Sequence, residues 1–279
     1  MYRSSRHAVV AAAAFVAGAV IVWAVAFRTA PGARLDTTAL AGFVGLGTPR
    51  VEALATPLTQ LADPGPFAVW TAAIVCLALV RRRPSLACMA AVVLVGANLT
   101  TQALKLLTAE PRAIGSMPGA DIALQSWPSG HATASMTLAL CLVAVVPSRL
   151  RPLAAALGGT FVLGVVYSLL VLAWHFPSDV LGGFCVAAAW TLAGLAAVRA
   201  IEPRQPVAAR VEATRIDAVL APAALAALGV AAIIGAAALA RPHAALAYAE
   251  GNTTFVAVAV VIGSGALALA AAVAAALRT

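Results

Sequence analysis

The chain has 279 residues, is 63% hydrophobic and only 10% charged, and carries a formal net charge of +8. A soluble domain of this size needs a polar skin that such a composition cannot supply. Apolar blocks of about 20 residues match helices crossing roughly 30 Å of hydrocarbon and exclude barrel strands, which alternate and are about half as long. Of the 18 basic residues 17 are Arg, set mainly in loops, so the charge describes membrane topology rather than a nucleic-acid surface.

In chain order, Arg3 and Arg6 precede an apolar run from about Ala8 to Phe27, long for a signal peptide and expected to be an uncleaved first span. From Arg28 to about Pro64 a loop is expected, with a short interfacial helix between Asp36 and Leu61. Further spans are expected over about Gly65–Val80, Ser85–Leu107, His131–Val146, Leu153–Ala173 and Ser178–Val198. A polar linker follows, and two more spans over about Asp217–Ala240 and Thr254–Leu277. The fold class is thus an all-α integral membrane protein. Its expected domains are a six-span core over 1–198, a cytoplasmic linker over 199–216 and two additional helices over 217–279. With the N-terminus cytoplasmic, 12 basic residues face inward and six outward, which favours that orientation. Trp23, Trp70, Trp127 and Trp174 then fall near the outer interface. Cys76, Cys88, Cys141 and Cys185 lie inside apolar runs without CxxC spacing, as small core hydrophobes.

This topology gathers three polar stretches on the outer face. One is Lys105 to Arg112, KLLTAEPR, holding the only Lys of the chain. The second is Pro128-Ser129-Gly130-His131, at the start of the fourth span. The third is Trp174-His175-Phe176-Pro177-Ser178-Asp179, between the fifth and sixth. A phosphate ester needs cations and N–H donors: Lys105 is a point charge and Arg112 a planar fork. Ser129 offers a hydroxyl, and Gly130 lets backbone N–H groups approach at a helix N-terminus. Two histidines can divide the nucleophile and acid roles, with Asp179 four residues after His175 as orienter. Each also has a plainer reading. Ser129 is a good N-cap, Asp179 complements a helix dipole, and the histidines and Arg112 suit an interface. Asn98, Gln102 and Lys105 share a helix face and either line the path to the site or bond between helices.

These residues resemble the type-2 phosphatidic-acid phosphatase superfamily, whose motifs are Lys-x6-Arg-Pro, Pro-Ser-Gly-His and Ser-Arg-x5-His-x3-Asp. Lys105 and Arg112 match the first, with Ala113 in place of its Pro; Pro128–His131 is the second intact; Ser168 to Asp179 matches the third. The resemblance covers about residues 1–198. It implies a helical fold with no metal or cofactor, His175 as nucleophile forming a phosphohistidine, Asp179 orienting it and His131 protonating the leaving oxygen. Lys105, Arg112, Ser129 and Gly130 would hold the phosphate. Leu169 stands where the superfamily has a second Arg. Losing one such donor costs about 3–4 kcal/mol of transition-state stabilisation. Arg28, Arg34, Arg50, Arg241 and His243 are candidate substitutes on the same side.

The expected function is hydrolysis of a phosphomonoester or diphosphate of a lipid on the extracytoplasmic face of the plasma membrane. The alternatives are a lipid phosphotransferase and a non-catalytic binder of lipid phosphate. The two final helices, rich in small residues, are expected to pack on the core or mediate a homo-oligomer.

Overall fold

The computed structural model describes residues 2–112, 122–201 and 242–277. Among these residues every regular element is a helix. Helix α1, Tyr2–Arg28, is apolar from Ala8 to Phe27 and ends on Arg28, a cation at the negative end of the dipole. Thr29 turns the chain sharply. Its Oγ1 donates to the Val25 carbonyl at 2.8 Å and accepts from Gly32 N at 3.1 Å, capping α2, Ala30–Val44. A Cβ on Gly32 would fall on that same carbonyl, so the turn needs glycine.

Thr48 caps α3, Pro49–Gln60, and α4, Pro64–Val80, follows after a break. The 28–64 stretch therefore holds two helices rather than a loop with one short helix. α2 is not superficial, since Asp36, Ala39, Leu40 and Phe43 are buried. α3 and α4 meet at 51° and together form one broken candidate span.

The remaining helices are α5 (Pro84–Leu107), α6 (Gly130–Val145), α7 (Arg151–Val171), α8 (Pro177–Ile201), α9 (Pro242–Gly251) and α10 (Thr253–Ala276). Proline in the first turn opens α4, α5, α7 and α8, where its missing N–H costs nothing. Six described helices are individually long and apolar enough to cross a membrane: α1, α5, α6 with its preceding turn, α7, α8 and α10. The chain is a multi-pass, all-α membrane protein. The expected span over 217–240, most of the linker, Ala113 and Arg241 lie outside the described residues.

α6 is the central post, enclosed by α4, α5, α7, α8 and α10. Its small side chains permit close approach, and its hydroxyls are satisfied within the helix. Thr137 donates to the Thr133 carbonyl at 2.7 Å and Ser135 to the Ala132 carbonyl at 3.3 Å. α1 lies along α8. α10 packs on the core through Ile262, Ala266, Ala270 and Val273, through the edge-to-face pair Phe43–Phe255, and through Tyr167 Oη on the Ala259 carbonyl at 2.8 Å. The outer faces of α1, α4, α5 and α10 expose Val, Leu and Ile, the skin a bilayer solvates.

The two ends of the bundle differ. At one end Arg81 of α4 donates to the Val145 carbonyl, and Arg151 donates to the Leu277 carbonyl at 3.2 Å. At the other end meet the C-termini of α1, α5 and α7 and the N-termini of α6 and α8. All the motif residues gather there.

Candidate active site

α7 stops in a turn that aims the chain at the site. Trp174 N donates to the Leu169 carbonyl at 3.0 Å and Ala173 N to the Leu170 carbonyl at 3.1 Å. This paired closure puts the residue after the cap in the left-handed region, here Ala173 with φ 55°. His175 follows, held against α8 by Asp179. Nδ1 of His175 lies 3.3 Å from Asp179 Oδ2, which also accepts Phe176 N at 2.9 Å. Asp179 is fully buried. When Nδ1 keeps its proton and donates it to Asp179 in this hydrogen bond, Nε2 carries the free lone pair of a neutral imidazole.

Arg112 completes this cluster. Its guanidinium is sandwiched between the rings of Phe27 and Phe176, 4.4 and 3.9 Å from their centroids. Nη2 donates to Asp179 Oδ1 at 2.5 Å; Nη1 donates to Asp36 Oδ2 at 2.5 Å and to Ser178 Oγ at 3.0 Å. Ser178 in turn donates to Asp36 through Oγ at 2.6 Å and through its backbone N at 2.9 Å. Burial pushes the Asp36 carboxyl up to about 6, although Arg112 and the Ser178 hydrogen bonds pull it down. Three of the five guanidinium donors are thus engaged, which makes Arg112 a cross-link between two carboxylates before any phosphate arrives.

Asp36 was not among the residues singled out in the sequence. The available signal was its register: Ala33, Asp36, Leu40 and Phe43 form one buried helical stripe. An acid on such a stripe demands a buried partner.

The second histidine sits differently. Ser129 caps α6 by accepting Ala132 N at 3.3 Å, and its own N–H donates to the Asp179 carbonyl at 2.9 Å. The Pro-Ser-Gly-His segment can lie this close to α8 because of Gly182 and Gly183. A Cβ on Gly183 would stand 2.8 Å from the Ser129 carbonyl oxygen, and one on Gly182 would stand 2.6 Å from Trp127 Nε1. Thr108 Oγ1 donates to the Trp127 carbonyl at 3.1 Å and ties the segment to the end of α5.

His131 is one residue into α6. Its Nε2 pairs with Asp63 Oδ1 at 2.9 Å, with the two side chains 25% and 44% exposed. Asp63 is the N-cap residue of α4 and was also passed over in the sequence, where Asp-Pro resembles an ordinary helix start. His131 lies within electrostatic reach of His175 and Lys105. Lys105 Nζ and Gln102 Nε2 stand 3.9 and 3.7 Å from where a Gly130 Cβ would be, so both flank the α6 N-terminus. Asn98 is used locally, donating to the Leu94 carbonyl at 2.9 Å.

Leu169 is sealed. It is fully buried in a cluster with Ala62, Ala134 and Val165, and among the described residues no cation stands in that cluster. Of the candidate substitutes, Arg28 pairs with Glu110 at 3.0 Å, and Arg34, Arg50 and His243 are exposed. Among the described residues no three His, Cys, Asp or Glu side chains come together as a metal-ligand group.

The arrangement combines an oriented imidazole, a second imidazole beside it and an anion-binding helix start with a lysine. No curated protein matches the sequence. The crystal structure of the first transmembrane PAP2 type phosphatidylglycerolphosphate phosphatase from Bacillus subtilis is similar in fold, with a TM-score of 0.58 and 18% identity. The match covers 70% of this chain and 99% of that one. The family model of the PAP2 superfamily matches residues 85–202, the segment that carries all three motifs.

Proposed function

We propose that this protein is a membrane phosphatase that cleaves the phosphate ester or diphosphate of a lipid through a phosphohistidine at His175. The observation that carries the reading is Asp179. It is a fully buried carboxylate that bonds His175 Nδ1 with one oxygen and Arg112 with the other. Such an arrangement fixes the tautomer and ring orientation that a histidine nucleophile requires.

In the first step the His175 Nε2 lone pair forms a bond to phosphorus. The bond from phosphorus to the lipid oxygen breaks, and His131 gives that oxygen a proton. In the second step water attacks phosphorus, His131 takes its proton, and the P–N bond breaks. Lys105, Gly130 and Ser129 hold the non-bridging oxygens. Lys105 supplies charge, and the first N–H groups of α6 supply donors that no helical carbonyl satisfies. Arg112 has two N–H donors left for a phosphate oxygen, so it serves first to position Asp179 and second to touch substrate.

The twelve-to-six Arg and Lys distribution supports a site on the extracytoplasmic side of the plasma membrane, with both termini cytoplasmic. A phosphotransferase is the second reading: a hydroxyl acceptor replaces water in the second step, with the same groups.

The test is phosphate release by purified protein in nanodiscs. The panel is phosphatidic acid, a polyprenyl diphosphate, phosphatidylglycerol phosphate and a water-soluble monoester, beside His175→Ala. Release on a lipid substrate that vanishes in the variant supports the phosphatase. Phosphoryl transfer to an added lipid alcohol without free phosphate supports the transferase. Equal activity in His175→Ala removes both.

A further inference from the structure

The site has little uncompensated positive charge. Among the described residues the charged groups drawn together around the two histidines are Lys105 and Arg112 against Asp36, Asp63 and Asp179. Arg112 lies 2.5 Å from both Asp36 and Asp179, so its charge is already matched. Leu169, where the superfamily has a further cation, is sealed among apolar side chains. Asp63 offsets the charge that His131 carries as the proton donor; it lies 2.9 Å from His131 Nε2 and is 44% exposed. Arg28 and Glu110, at the same end, pair with each other at 3.0 Å and add no net charge.

Among the described residues, what remains for an incoming phosphate is one unmatched cation, Lys105, with neutral donors beside it. These are the Gln102 amide, the first N–H groups of α6 and the Ser129 hydroxyl. Neutral donors hold phosphoryl oxygens well but do not offset a second full charge. Away from bulk water, like charges repel strongly.

We infer that this site takes its reacting phosphorus in a singly charged form: a lipid phosphodiester, or the monoanion of a lipid monoester, and not the dianion. The inference rests on the proposed site. On a diester, His175 Nε2 bonds to phosphorus, one ester P–O bond breaks and the leaving oxygen takes the His131 proton. The group left on His175 carries a single negative charge. Water or an alcohol then attacks phosphorus, gives its proton to His131 and releases His175. The Nδ1 proton stays on the hydrogen bond to Asp179 throughout.

Binding tests this without requiring turnover. The probes are decylphosphonate, which gains a second charge as pH rises, and decyl(methyl)phosphinate, which cannot. Neither has a cleavable P–O ester. Titrated into the full-length protein in nanodiscs, the phosphonate should lose affinity relative to the phosphinate by about tenfold per pH unit above its second ionisation. Because the phosphinate reports every ionisation of the protein itself, the ratio isolates the ligand's charge. A flat ratio, or tighter binding of the dianion, overturns the inference.

Asp63→Asn, at a half-exposed position that tolerates change, should narrow the ratio by about tenfold, the effect of roughly one charge at close range. A folded variant with an unchanged ratio also counts against the inference. Lipid monoester and diester turnover, run in parallel, separates the two claims. The expected binding ratio without His175-dependent turnover defeats the proposed function and leaves this inference standing. His175-dependent turnover with a preference for the dianion does the reverse.

Discussion

The two histidines occupy opposite surroundings within one site. His175 is buried beside a chain of fixed partners: Asp179, then Arg112, then Asp36 and Ser178, all out of water and packed between two phenylalanine rings. His131 is half-exposed, with one partner, Asp63, that is itself open to solvent. The closed half fixes a lone pair in one direction. The open half keeps the room that an arriving and departing lipid oxygen requires. In the closed half a substitution should register first as lost stability, and in the open half as lost turnover or altered charge preference.

The largest expected effect breaks the closed half at its centre. Arg112→Ala strands two buried carboxylates, and removing one partner of such a pair costs about 3–5 kcal/mol. Thermal unfolding in detergent should show it. Arg112→Lys should recover only part, because an ammonium cannot bridge both acids in the plane of a fork.

Next comes pH. The Asp36 carboxyl stands at about 6 in the folded chain, above its ordinary value of 3.8, so the folded state holds its proton more tightly than the unfolded state. Its contribution to stability is full below about 3.8 and is lost as pH rises through about 6. Wild type should therefore lose about 3 kcal/mol relative to Asp36→Asn across that window. Parallel unfolding curves for the two proteins would contradict the assignment.

Smaller again is Gly183→Ala. Its Cβ would meet backbone at 2.8 Å from the Ser129 carbonyl oxygen and 3.0 Å from Thr133 N, forcing α6 and α8 apart at a cost of about 1–3 kcal/mol. Turnover should fall further than that loss of stability explains, because the shift moves His131 and Gly130 relative to His175. Activity assayed well below the melting temperature separates the two effects. The smallest effect has the opposite sign. Ala173 holds φ 55°, a conformation that disfavours a Cβ by about 1–2 kcal/mol. Ala173→Gly should raise stability by about 1 kcal/mol or less, since glycine also loses more entropy on folding, with the His175 geometry kept.

Much of the fold was legible because long apolar blocks announce spanning helices whatever their partners, and the ends of α5 to α8 fell within a few residues of expectation. The α2–α3 stretch was not. Arg34, Asp36, Arg50, Glu52 and three prolines, Pro31, Pro49 and Pro57, dilute its hydropathy below a span's, and sequence alone does not show that α2 tucks against the core. In the site, the spacing of His175 and Asp179 was readable because i and i+4 meet on any helix-like turn. The pairing of Arg112 with Asp36 spans 76 positions and that of His131 with Asp63 spans 68. No local pattern encodes either. The two carboxylates that distinguish this site were therefore the residues that sequence missed, while the absent cation at Leu169 was visible at once.

The most direct test of the central claim is to trap the covalent intermediate. The purified protein would be mixed with a lipid phosphate labelled on phosphorus, denatured with alkali within the first turnover, and mapped by mass spectrometry. The account predicts label on His175 that is stable to alkali and released by acid, and absent from His175→Ala. Label on another residue, or turnover without any labelled histidine at His175, would contradict it.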